Sequence, residues 1–84
     1  MGGTELAAAE RSARTLVELA PFRESGYRFL MEALAAHDNP AEALRVYDRL
    51  RCLLRDELGV APGAAAQELH RGLLARLDVV RPSG

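Results

Sequence analysis

Residues 37–60 read HDNPAEALRVYDRLRCLLRDELGV. Asn39 supplies a capping side chain, Pro40 suits the first helical position, and Glu42 stands three residues after Asn39. That is an asparagine version of the capping box. Ala43, Tyr47, Leu50, Leu54 and Leu58 then fall on one face at helical spacing. Gly59 takes the left-handed backbone that ends a helix, and Val60 is placed to pack back on Leu54. The stretch predicts a helix over 40–58 with both ends specified.

Three further helices flank it. Residues 4–20 carry an apolar stripe of Leu6, Ala9, Ala13, Leu16, Val17 and Ala20, with Glu10, Arg11, Arg14 and Glu18 facing away. Thr4 is the expected cap, and Pro21 marks the end. Residues 23–37 bury Tyr27, Leu30, Met31 and Leu34. After the turn APG, residues 64–77 turn Ala66, Leu69, Leu73 and Leu77 inward. Gly72 costs about 1 kcal/mol in a helix interior, which a close neighbouring helix would offset. The tail VVRPSG is expected to fray. Short connections predict antiparallel neighbours, so the fold class is all-α, with about four helices. Nothing alternates with the period of two that marks a strand.

Bulk composition fits this. The 84 residues are enough for one domain and a modest core. Hydrophobic residues make up 49% and charged residues 27%, in the range of ordinary globular proteins. A net charge of -1 gives no electrostatic signature of a nucleic-acid or membrane-surface binder. The single cysteine, Cys52, excludes a disulfide within the chain. No apolar run approaches the roughly 20 residues of a bilayer span, and the N-terminus lacks a signal-peptide core. The expected location is the cytoplasm.

An internal repeat narrows the fold. Ala9, Ala13 and Leu16 recur as Ala43, Tyr47 and Leu50, each 34 residues on. That is the period of the tetratricopeptide repeat. Its small–large–small pattern lets two helices approach and fills the gap between them. Tyr27, Leu30 and Leu34 match the spacing of the preceding helix, and Pro21 matches the closing proline. The match departs at Met31, where glycine is expected, and at Arg55, where proline is expected. One full repeat is preceded by half a repeat and followed by one helix. The first helix therefore lacks its usual partner and is expected to leave an apolar strip, with Leu6 and Leu16 as candidates for self-association.

The run from Pro21 to Leu74 goes beyond generic repeat features. Its most specific parts, EALRVYDRLRCLLRDELGVAP (42–62) and ELHRGLL (68–74), resemble the bacterial transcriptional activator domain of actinobacterial antibiotic-regulatory-protein-type regulators. That resemblance implies a tetratricopeptide-like helical array beside a winged-helix DNA-binding domain, contributing dimerisation or contacts with the transcription machinery. The winged helix and the first helices of the activator domain are not among these residues. DNA binding therefore does not carry over, and residues 1–84 are expected to form one helical domain, the C-terminal part of the activator domain.

No catalytic constellation accompanies the pattern. Cys52 lies on the polar side of its helix near Asp48 and Asp56, the wrong setting for a reactive thiolate. His37 and His70 have no companions at zinc spacing. Tyr27 and Tyr47 read as core aromatics with hydroxyls at the margin. Arg45, Arg49, Arg51 and Arg55 are interleaved with Glu42, Asp48, Asp56 and Glu57, and Asp48 and Arg51 are spaced to pair. A phosphate-binding face needs uncompensated charge. The reading is a non-catalytic interaction or oligomerisation domain of a transcriptional regulator, without cofactor or metal, acting on a protein partner. The alternative is a stand-alone adaptor that binds a peptide or helix, and direct nucleic-acid binding ranks below both. At the matching positions, the concave face of such an array carries Arg28, Glu32 and Ala35.

Overall fold

The computed structural model describes the backbone of residues 2–80 and the side-chain surroundings of residues 7–77. Four helices follow one another: α1 (Gly2–Leu19), α2 (Glu24–Ala36), α3 (Pro40–Leu58) and α4 (Ala64–Val80). No strand occurs among the described residues. Two ends differ from expectation. α1 already includes Thr4, which is therefore not its cap, and α4 continues through Val79 and Val80 instead of fraying there.

Local chemistry explains the ends. Asn39 Oδ1 accepts from the Glu42 amide at 3.4 Å, with Pro40 in the first turn. Only this half of the capping box forms. The Asn39 amide instead donates to the Leu34 carbonyl at 2.8 Å, and Glu42 pairs with Arg45. Gly59 closes α3 at φ 68°, its amide reaching the Arg55 carbonyl at 3.1 Å. The Val60 amide donates to the Leu54 carbonyl at 3.2 Å while its side chain stays exposed, so the link back to Leu54 is made by backbone.

α2 ends in a Schellman motif. The Asn39 amide reaches Leu34 and the Asp38 amide reaches Ala35 at 3.0 Å. Asp38 occupies the left-handed position at φ 60°, where glycine is the usual residue.

Polar contacts fix the helix directions. His37, at the end of α2, meets Glu10 in α1, while Gly26 near the start of α2 lies against Leu16 and Val17. These two helices are therefore antiparallel. Glu24 at the start of α2 accepts from the Gly63 amide at 2.8 Å, just before α4. At the other end Arg76 of α4 donates to the Ala35 carbonyl at 3.3 Å. α2 and α4 thus run the same way, with α3 antiparallel between them.

α2 is the hub, packing on α1, α3 and α4, and α4 also packs on α3. This is the connectivity of a tetratricopeptide-like array. Leu30, Met31, Leu34, Val46, Leu50 and Leu54 are the largest fully buried side chains, each contributing about 1.5–3 kcal/mol. Met31 fills the space where the repeat expects glycine. The close approach occurs at Gly26 instead, where an added Cβ would lie 3.2 Å from Leu16 Cβ and 3.3 Å from the Val17 amide nitrogen. Gly72 faces open space, so no neighbouring helix accounts for it.

The α1 stripe is rotated from expectation. Ala13 and Val17 are buried, whereas Ala9 is exposed and Leu16 is 43% exposed. Glu10 and Arg14, expected to face solvent, are half-buried beside α2. In α3, Ala43, Tyr47, Leu50 and Leu54 are buried as expected, but Leu58 at the last turn is exposed.

Candidate protein-interaction surface

Six of the arginines pair with nearby acids. Arg14 pairs with Glu10 at 3.1 Å, Arg51 with Asp48 at 2.6 Å and Arg55 with Asp56 at 3.0 Å. Arg45 pairs with Glu42 at 3.6 Å, Arg76 with Asp38 at 3.5 Å, and Arg71 with Glu68. These arginines do not form the uncompensated surface that phosphate binding requires. The hydrogen bonds that Arg51 and Arg55 donate to Asp48 and Asp56 raise the already high pKa values of the two arginines.

The candidate reactive groups have structural surroundings. Cys52 is half-buried, with Arg51 Nη2 3.8 Å from its sulfur. The His70 ring lies flat on Tyr47 with centroids 4.0 Å apart. His37 Nδ1 is 3.1 Å from Glu10 Oε1. The Arg14 hydrogen bond lowers the Glu10 pKa against the opposing effect of burial, and His37 adds to the lowering. Burial raises the Tyr27 pKa. Among the described residues, no group of three or more His, Cys, Asp or Glu side chains is arranged to hold a metal.

What the surface offers is apolar relief. A groove of about 430 Å³ runs between α1 and α2. Its α1 wall is Ala9, Ser12, Ala13 and Leu16, and its α2 wall is Phe29, Glu32, Ala33 and Ala36. Small residues form the floor, and half-exposed Leu16 and Phe29 form the shoulders. A second groove of about 360 Å³ lies between α2 and α4, with Ala35 on one side and Leu69, Gly72, Leu73 and Arg76 on the other.

The face read from sequence falls on the ridge between these grooves. Glu32 lines the first, Ala35 lines the second, and Arg28 is half-buried on the same helix. The three therefore do not share one pocket. Leu16 stands in the first groove, whereas the Leu6 side chain lies outside the described residues. Phe29 was missed by the sequence reading, although an aromatic outside the Tyr27–Leu30–Leu34 stripe is itself a signal of a second face.

Helices stacked around a central α2, with apolar grooves on its outer side, define a helical scaffold of the repeat type. Residues 2–74 match the bacterial transcriptional activator domain, and the chain belongs to that family. It is 48% identical over 54 residues to the regulatory protein AfsR of Streptomyces coelicolor, covering 64% of this chain and 5% of that protein. It is 34% identical over 64 residues to the transcriptional regulatory protein MoaR1 of Mycobacterium bovis and of Mycobacterium tuberculosis, covering 76% of this chain and 21% of each. The chain thus spans a small part of these curated relatives. No solved structure matches it. Among the described residues, no helix is long and apolar enough to cross a membrane.

Proposed function

We propose that this helical unit is a non-catalytic protein–protein interaction domain of a bacterial transcriptional regulator, working in the cytoplasm. The observation that carries the reading is the α1–α2 groove, which keeps Leu16 and Phe29 about half in water while the equivalent Leu50 is fully buried. Exposed apolar relief of this kind marks sites of association. The pairing of Arg14, Arg51 and Arg55 with neighbouring acids supports the same reading, because it compensates charge that a phosphate-binding face would need free. Leu16 is also the candidate for self-association, so docking of another protein and pairing of two copies compete for one surface.

The test is the stability of the Leu16→Glu, Phe29→Glu double variant. Interaction residues of an isolated domain are not needed for its fold, so Tm should stay level or rise while binding of an apolar dye falls. A loss of several degrees in Tm would show that both residues are core, and would remove the reading.

A further inference from the structure

The α2–α4 groove holds a glycine that nothing in the fold requires. Gly72 is the central residue of α4 (Ala64–Val80), where glycine weakens a helix. A methyl group on it would meet nothing within 4 Å. Both walls of the groove lie within the chain, with Ala35 on α2 facing Leu69, Gly72 and Arg76 on α4. A glycine on an open helix face lets another backbone come close.

The residues around Gly72 say which backbone fits. Glu68 and Arg76 stand four residues before and after it, and Leu69 and Ala75 stand three before and after. A helix laid antiparallel on α4 and crossing at Gly72 must offer an arginine to Glu68 and an acid to Arg76. It must also offer a small residue to Leu69 and a larger apolar one to Ala75. A second copy of α4 supplies all four. A two-fold axis at Gly72 sets residue 68 of each copy against residue 76 of the other, and residue 69 against residue 75, as a self-complementary contact demands.

The side chains are free to make this contact. Glu68, Gly72, Ala75 and Arg76 are exposed and Leu69 is half-buried. Within the chain Glu68 pairs with Arg71, and Arg76 pairs with Asp38 at 3.5 Å. Glu68 and Asp38 are 71% and 94% exposed, so these pairs hold little and can rearrange. The incoming helix comes to rest over the seam between α2 and α4, where the short side chain of Ala35 leaves room.

We propose that two copies of this chain associate through α4, antiparallel about a two-fold axis at Gly72, with Glu68 of each copy paired to Arg76 of the other. The contact leaves the α1–α2 groove open and stands independently of it. One helix crossing buries on the order of 500 Å² per copy, less than the roughly 800 Å² of a standard interface. The dimer is therefore weak, with a Kd on the order of 100 µM.

Sedimentation velocity of the full chain, from about 10 µM to about 1 mM, tests this. The expected result is a dimer that grows with concentration. Glu68→Arg and Arg76→Glu each set like charges against one another twice, and each alone should weaken the dimer at least about tenfold. An equimolar mixture of these two variants should associate again, to within about threefold of the parent chain, because each supplies the charge that the other lacks. Gly72→Ala should weaken the dimer about tenfold by holding the helices apart, while the Tm of the dilute chain rises. Leu16→Glu should leave the dimer unchanged.

A monomer up to about 1 mM would overturn the proposal. So would charge variants that dimerise like the parent chain, or a mixture of them that stays monomeric. A dimer that Leu16→Glu dissociates and Gly72→Ala leaves intact would also overturn it, while leaving the protein-interaction reading standing. Failure of that reading shows separately, as the loss of Tm in the Leu16→Glu, Phe29→Glu variant.

Discussion

The imidazole of His70 lies against the phenol ring of Tyr47, with centroids 4.0 Å apart and planes inclined by 9°. This stack joins α4 to α3 near the middle of both helices. Tyr47 is buried and belongs to the main apolar cluster. His70 is itself half-buried, so its ring covers the buried Tyr47 from the α4 side.

The stack sets the first prediction. An aromatic pair of this kind contributes about 0.5–1.5 kcal/mol beyond its area burial. His70→Ala should lower stability by about 1–2 kcal/mol in urea unfolding, and His70→Phe should recover most of it. Equal losses from both variants would assign the effect to something other than ring stacking.

Asp38 offers a gain. It holds a left-handed backbone at φ 60°, which costs about 1 kcal/mol or more for a residue with a Cβ. Its ion pair with Arg76 is long and its side chain is 94% exposed, so little is lost by removing it. Asp38→Gly should raise stability by about 0.5–1 kcal/mol, measured by thermal and urea unfolding. A decrease would mean that the Arg76 contact outweighs the backbone strain.

Gly26 and Gly72 should respond in opposite directions to the same change. A methyl group at Gly26 meets α1 backbone at 3.3 Å, so Gly26→Ala must push two packed helices apart, at a cost of about 1–3 kcal/mol. A methyl group at Gly72 meets nothing within 4 Å, so Gly72→Ala should stabilise α4 by about 1 kcal/mol. Unfolding curves of the two variants side by side provide the check.

Glu10 accepts from Arg14 within α1 and meets His37 at the end of α2. Its pKa in the folded chain lies below the ordinary value of 4.5. Its contribution to stability is therefore fully present above that value, and is lost as pH falls through the lower folded one. Glu10→Gln should flatten the pH dependence of stability below about pH 5, as followed by Tm against pH. An unchanged slope would mean that Glu10 has the same proton affinity folded and unfolded.

The helices were legible because their signals are local: an Asn-Pro start, a Gly stop and a period near 3.6. The core stripe of α2 and most of that of α3 followed directly, since both helices are covered by neighbours. α1 was harder. Apolar spacing marked Ala9, Ala13, Leu16 and Val17 alike, but it does not say which of two adjoining faces has a partner, and only Ala13 and Val17 proved buried. The contacts that fix helix direction, Glu10–His37 and Glu24–Gly63, join residues 27 and 39 apart. No periodicity reports them. The interaction face was half legible: Glu32 and Leu16 line the open groove, while Phe29 and Ser12 emerge only once α1 and α2 are packed.

The central claim is that the α1–α2 groove stands open in this chain. Light scattering coupled to size-exclusion chromatography, over a concentration series with an apolar dye present, tests it most directly. The account predicts either a 9.1 kDa monomer that binds the dye or a dimer of twice that mass, with the dye binding or the dimer reduced by Leu16→Glu. A monomer that excludes the dye would contradict it.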